Sequence, residues 1–273
     1  MSKKFGWIKC IIWFFLGIKF VFSQDFRINN ARSLGVAGAH HGFLDVWTVY
    51  HQPAYLAFLP VKSIGVNYTN FYLLPEFSTL SLAGALPFLK QHAVGLGYNF
   101  EGYSKHQQHH FVFGYGLQLS PQWALGLQPS YRFFQFADKE FGAQHGFDLS
   151  VSSKVFVLPV LSLSVVIREF YQTNFVTHVF PAIFEVGLAY QILNNLLWNL
   201  QIEKGLETEF SCKTGLEYVI GEKIFLRLGA GYQPILFGLG VGTVWKKIFH
   251  LEVATAYHWH LGFIPSISWV VDL

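Results

Sequence analysis

The chain is 273 residues long, with 52% hydrophobic, 18% aromatic and only 13% charged residues, and a formal net charge of +3. That surplus belongs to the opening stretch MSKKFGWIKCIIWFFLGIKFVFSQ, which holds Lys3, Lys4, Lys9 and Lys19 and no acid; without it 15 basic residues face 16 acidic ones, and the electrostatic footprint of a nucleic-acid binder is missing. The remainder is too apolar for a water-soluble surface, yet it holds no second run of the roughly 20 apolar residues that a membrane helix needs, which leaves a closed β-barrel as the spanning solution.

The first element in chain order is a leader. Lysines precede an apolar run of about a dozen residues, and the small residue Ser23 precedes Gln24, so residues 1–23 read as a cleaved signal peptide. A retained anchor is the lesser reading, because the run is short and Lys19 interrupts it. Cys10 lies at the wrong end of the run for lipid attachment. Cys212 is then the only cysteine left, which excludes an internal disulfide.

Next comes Asn30–Leu59, NARSLGVAGAHHGFLDVWTVYHQPAYLAFL, rich in small residues and placed just ahead of the strands. It reads as a plug, within an N-terminal segment 24–60 followed by a barrel over 61–273.

From Ser63 onward the apolar residues recur with period two. In His250–Leu261, Leu251, Val253, Tyr257, Trp259 and Leu261 fall on one face, and His250, Glu252, Ala254, Ala256, His258 and His260 on the other. One face suits lipid and the other a polar or packed lumen; a soluble β-sandwich would turn its polar face outward and use shorter strands. The alternation recurs over Ser63–Phe71, Phe77–Phe88, Ala93–Tyr103, His109–Leu119, Trp123–Gln135, Gly146–Leu158 and Leu161–Phe170. It continues over Pro181–Ile192, Leu196–Lys204, Thr208–Ile220, Ile224–Gln233, Ile235–Lys246, His250–Leu261 and Ile264–Leu273. Most segments run about 9–13 residues, enough for a tilted strand to cross a bilayer.

With both termini periplasmic, the even-numbered connections fall near Leu89-Lys90-Gln91, Ser120-Pro121-Gln122, Pro159, Asn194-Asn195, Gly221-Glu222 and Lys247, and all are tight. The third, fifth and seventh, Ser104–Gln108, Phe136–His145 and Tyr171–Phe180, are longer and more polar. Tight periplasmic turns, longer external loops and an even strand number are the pattern of bacterial outer-membrane barrels. The expected fold class is all-β, a transmembrane antiparallel β-barrel of about 14 strands in the outer membrane of a Gram-negative bacterium.

Aromatic residues near strand ends, Phe133-Phe134, Trp245, Trp259 and Trp269, fit interfacial girdles; plain β-propensity is the alternative. The inferred inner face carries Gly95, Gly97, Gly114, Gly116, Gly187, Ala189, Gly229, Gly231, Gly238, Gly240 and Gly242, small enough to let a plug approach. Among them stand Glu101, Arg132, Asp148, Lys154, Arg168, Glu185, Lys213, Glu217, Arg227 and Glu252, expected to line the lumen and pair across it. Cys212 points outward in this register.

The run Ala31-Arg32-Ser33-Leu34-Gly35-Val36-Ala37-Gly38-Ala39, then Asp45, then Gln52-Pro53-Ala54-Tyr55-Leu56, resembles the N-terminal pattern of the long-chain fatty-acid transporter (FadL) superfamily and its PorV/PorQ relatives. Gln52 stands where that pattern carries asparagine, and Asp45 stands alone where an acidic pair is common. The resemblance implies a fourteen-stranded outer-membrane barrel whose N-terminal segment enters the lumen as a hatch, with Arg32, Gly35, Gly38, Asp45, Gln52, Pro53 and Ala54 as the hatch motif. The long external loops that form a ligand-capture groove in that family have no obvious counterpart here.

Other chemistries find little support. Histidines cluster at His106, His109 and His110 and at His258 and His260, but no cysteine or carboxylate stands beside them at a ligand spacing, so neither a metal nor any other cofactor is expected. No G-x-S-x-G or other activated nucleophile marks an enzyme, although His258 lies within geometric reach of Ser266 or Ser268 across the last hairpin. Gly229-x-Gly231 and Gly238-x-Gly240-x-Gly242 lack the following helix that phosphate binding uses. Two functions remain: a passive transporter of small hydrophobic or amphipathic solutes, and a non-transporting accessory subunit of a larger outer-membrane export or assembly complex, as PorV-type proteins are for type IX secretion. The expected partners are outer-membrane lipid, a hydrophobic solute and such a complex, and no nucleic acid.

Overall fold

The computed structural model describes residues 30–137, 143–173, 181–206 and 208–273. The leader expected at 1–23 lies outside them, as do residues 24–29 of the expected plug segment.

A sheet that meets hydrocarbon on one face can leave no backbone group unpaired, so its edges must join. Fourteen strands do this: β1 (Ser63–Asn70), β2 (Ser78–Leu89), β3 (His92–Tyr103), β4 (His106–Ser120), β5 (Trp123–Phe136), β6 (Ala143–Leu158), β7 (Leu161–Thr173), β8 (Ile183–Leu193), β9 (Leu196–Gly205), β10 (Ser211–Ile220), β11 (Ile224–Tyr232), β12 (Leu236–Trp245), β13 (Phe249–His258) and β14 (Gly262–Asp272). Each pairs antiparallel with its sequence neighbours, and β1 pairs with β14 from Ser63 opposite Asp272 to Thr69 opposite Ser266, which closes the barrel.

The even-numbered connections are two residues at 90–91, 121–122, 159–160 and 194–195 and three at 221–223 and 246–248. They mark a turn end; the opposite rim is the loop end. One expected loop is a correction. The third connection shrinks to Ser104-Lys105, because Tyr103 pairs with His106 and Glu101 with Gln108, and completing that ladder outweighs the polarity of these residues. The fifth and seventh connections lie partly outside the described residues.

Apolar side chains such as Ile64, Leu96, Leu228 and Val253 face outward, as do Trp245, Trp259 and Trp269. Phe134 is a correction to the girdle. It turns inward and is buried, since consecutive residues of a strand take opposite faces and only Phe133 of the pair can reach the lipid side.

Residues 30–59 run inside the barrel as three short helices, α1 (Ala31–Gly35), α2 (Thr48–His51) and α3 (Pro53–Leu56), joined by turns. Asn30 caps α1 by accepting from the Ser33 N–H at 2.8 Å, and Pro53 opens α3, where its missing N–H costs nothing. Val46, Trp47, Val49, Tyr50 and Leu56 pack on Ala83, Ala85, Ala93 and Val112 of the wall. On the other side Ala31, Leu34 and Ala37 pack on Leu236, Ala254, Ala256 and Ile264, and Phe71 reaches in from the first connection.

Candidate functional site

A barrel of this strand number encloses more space than wall side chains fill, so whatever occupies the lumen decides whether anything passes. Here residues 30–59 occupy it, and the wall admits them through missing side chains. A Cβ at Gly126 would lie 2.1 Å from the Ala54 nitrogen, one at Gly238 2.4 Å from the Leu34 oxygen, and one at Gly187 2.3 Å from the His41 ring. Of the glycines expected to receive the plug, Gly231 and Gly242 do not: the first meets Pro234 and the second the Arg227 guanidinium. Gly65 and Gly215 do, against Trp47 and Val36. In the plug itself, Gly35 lies against Gly240, and Gly38 takes a φ of +89° beside Lys213.

Charge then holds the plug by its arginine. Arg32 binds Glu217 of β10 through Nη2 at 2.7 Å and Nε at 3.0 Å, and Asp45 of the plug through Nη1 at 3.0 Å. Arg227 of β11 continues the chain to Glu217 at 2.6 Å and Glu252 at 2.9 Å. Burial alone would lower the Arg32 pKa, but Glu217 and Asp45 outweigh it and keep the guanidinium charged. Of the remaining motif residues, Gln52 is buried ahead of Pro53, and the Ala54 N–H donates to Ser152 at 2.8 Å.

A second anchor is Arg168 of β7. It grips Glu185 of β8 with Nε and Nη2, and its Nη1 and Nη2 donate to the carbonyls of Tyr50 and His51. Lys213 pairs with Glu203 at 2.6 Å, and Arg132 with Glu169 and Asp148. Lys154 departs from the expected cross-lumen pairing. Fully buried, it donates to the His41 carbonyl at 2.7 Å and lies 4.4 Å from the Tyr55 ring centroid, so a plug carbonyl and a cation–π contact take the place of an acid. Glu101, with Tyr50, Arg132, Asp148 and Glu169, lines a polar cleft of about 60 Å³, room for a few waters and far below the size of a solute pocket.

Three plug histidines escape the sequence reading. His40 stacks on His51 at 3.8 Å between ring centroids and on His41 at 5.2 Å. His41 meets Ser164 through Nδ1 at 2.9 Å and Glu185 through Nε2 at 3.3 Å, and Asn30 reaches His51 Nε2 at 3.1 Å. Neither ring nitrogen of His40 has a hydrogen-bond partner. The His40-His41 dipeptide was the available signal, but an irregular segment has no periodicity to say where it points. Of the histidines grouped in the sequence, His109 pairs with the Tyr98 hydroxyl at 2.9 Å, and His258, its ring 6.2 Å from that of His260, caps a turn by accepting from the N–H groups of His260 and Leu261 at 3.2 Å.

On the outer wall lies an apolar groove of about 790 Å³, lined by Ile64, Leu82, Leu96, Phe113, Tyr131 and Trp269.

No protein-family model matches the chain, and no curated protein does. Solved structures do. A "CymD monoaromatic hydrocarbon channel" superposes with a TM-score of 0.68 at 12% identity, over 89% of this chain and 97% of that one. The Ralstonia pickettii toluene transporter TbuX gives 0.65 at 10% identity, and a Pseudomonas aeruginosa FadL homologue 0.64 at 9%, each over the same shares of the two chains. The chain shares their fold. At such identities the likeness carries architecture and no residue role, so the part each side chain plays here rests on the contacts above.

Proposed function

We propose that this protein is a plugged outer-membrane channel that passes small hydrophobic or amphipathic solutes by passive diffusion, with residues 24–60 as its hatch and residues 1–23 as the export leader. The observation that carries this reading is a separate N-terminal segment seated in the lumen by packing, ion pairs and backbone contacts, within a fold shared with a monoaromatic hydrocarbon channel and a toluene transporter. Apolar packing on two sides, ion pairs and backbone contacts hold the plug across the lumen, so in this reading passage requires the plug to shift. Reconstituted in liposomes, the protein is expected to speed toluene entry at least about tenfold over protein-free vesicles while leaving sugar entry slow, since water-soluble solutes need the wide polar lumen of a porin. Equal toluene entry with and without protein ends this reading.

The outer-wall groove supports a second role, as an accessory subunit of a larger outer-membrane export or assembly complex, since contiguous apolar concavities accept partners. Gentle extraction that yields a large stoichiometric partner, together with no solute flux, favours that role.

A further inference from the structure

The stack His51–His40–His41 is buried between the plug and the walls of β6 to β10, and the transport reading gives it no task. The charged groups facing it are Lys154 of β6, Arg168 of β7, Glu185 of β8, Glu203 of β9 and Lys213 of β10. Arg168 already holds both oxygens of Glu185, and Lys213 engages Glu203, so each of these acids has its cation before any histidine takes a proton. A proton on His41 would find Glu185 at 3.3 Å. One on His40 finds no acceptor at either ring nitrogen, and one on His51 arises beside Arg168, whose guanidinium is bound to the His51 carbonyl. The same side chains are a poor metal centre. The ligand atoms of His40, His41 and Glu185 lie within 4.8 Å of one another, but Arg168 already holds both oxygens of the carboxylate.

We propose that this stack is an acid-sensitive latch: protonation of His40 and His51 drives the plug off its seat. The inference rests on reading residues 30–59 as a movable hatch. Burial, first, and then the neighbouring imidazoles and Arg168 hold both histidines well below their ordinary value while the plug is seated. An unseated plug returns them to about 6.5. The group with the depressed value is the seated one, so seating keeps its full stability above that ordinary value and loses it as pH falls below it. Between about pH 7.5 and pH 5.5 each histidine multiplies the unseated-to-seated ratio about tenfold, and two acting together about 100-fold.

Hydrogen exchange on the full-length protein in detergent tests this, with protection factors corrected for the intrinsic pH dependence of exchange. Amides of residues 30–59 are expected to lose about 100-fold protection between those pH values while barrel amides keep theirs, and the His40→Gln/His51→Gln variant is expected to lose none. Unchanged plug protection in the wild type overturns the proposal, as does the same loss in the double variant. Should the double variant not fold, His40→Gln alone is expected to retain about a tenfold loss, and a full 100-fold loss in it overturns the proposal equally. Toluene flux at neutral pH is read separately: a pH-sensitive plug without flux defeats the channel reading and keeps the latch.

Discussion

Gly229→Val is expected to unseat the plug and leave the barrel standing. A Cβ there would lie 2.1 Å from the Val36 carbonyl carbon and 2.5 Å from both the Val36 Cα and oxygen. Those atoms are backbone and cannot turn aside as a side chain would. Overpacking a tight core costs about 1–3 kcal/mol, and a clash with main chain belongs at or beyond the top of that range. The strand itself loses nothing, since Gly229 stands opposite Gly215 and Gly238 in a ladder that side chains do not build, and valine favours a strand over glycine. The cost therefore falls on the plug. The folded band on a heat-modifiability gel should persist, while planar bilayers show open-pore current and a protease clips residues near Val36. Gly84→Val is the control, because a Cβ at Gly84 meets nothing within 4 Å. A Gly229→Val barrel as silent as the wild type would show that the wall can yield instead.

Arg168→Leu is the second large effect. The change strands the Glu185 carboxylate, 3% exposed, with the neighbouring His41 as its remaining partner, and it strips the Tyr50 and His51 carbonyls of their donor. Breaking one side of a buried pair costs about 3–5 kcal/mol, because an uncompensated charge stays behind. Adding Glu185→Leu removes that charge and should restore most of the loss. A residue of about 1–3 kcal/mol should remain, belonging to the two plug carbonyls. Urea unfolding in detergent measures both variants. If the double variant is no more stable than Arg168→Leu alone, the guanidinium acts chiefly on the plug and the pair with Glu185 is incidental.

How far the sequence could be read differs by element. The fourteen strands were legible because lipid on one side and packed interior on the other impose a period of two over about ten residues, long enough to stand out from propensity. The start of β4 was misplaced because His106-Gln107-Gln108 looks like loop and pairs like strand. Glu169 was missed for another reason. β7 shifts register between its pairings to Leu149 and Val151, Glu169 takes a φ of +53°, and Arg168 and Glu169 both turn inward where simple alternation allows only one.

By itself, then, the sequence determined the class of the fold, the faces of the strands, the tight turns and the small-residue segment placed before them. All of these are written in consecutive residues. Only the tertiary structure decided what the plug touches. Arg32 meets Glu217 across 185 residues and Lys154 meets His41 across 113, and no local period connects positions so far apart. The same holds for the histidine stack, which exists only because a segment without regular structure is folded into a closed lumen, where burial rather than pattern sets which groups meet.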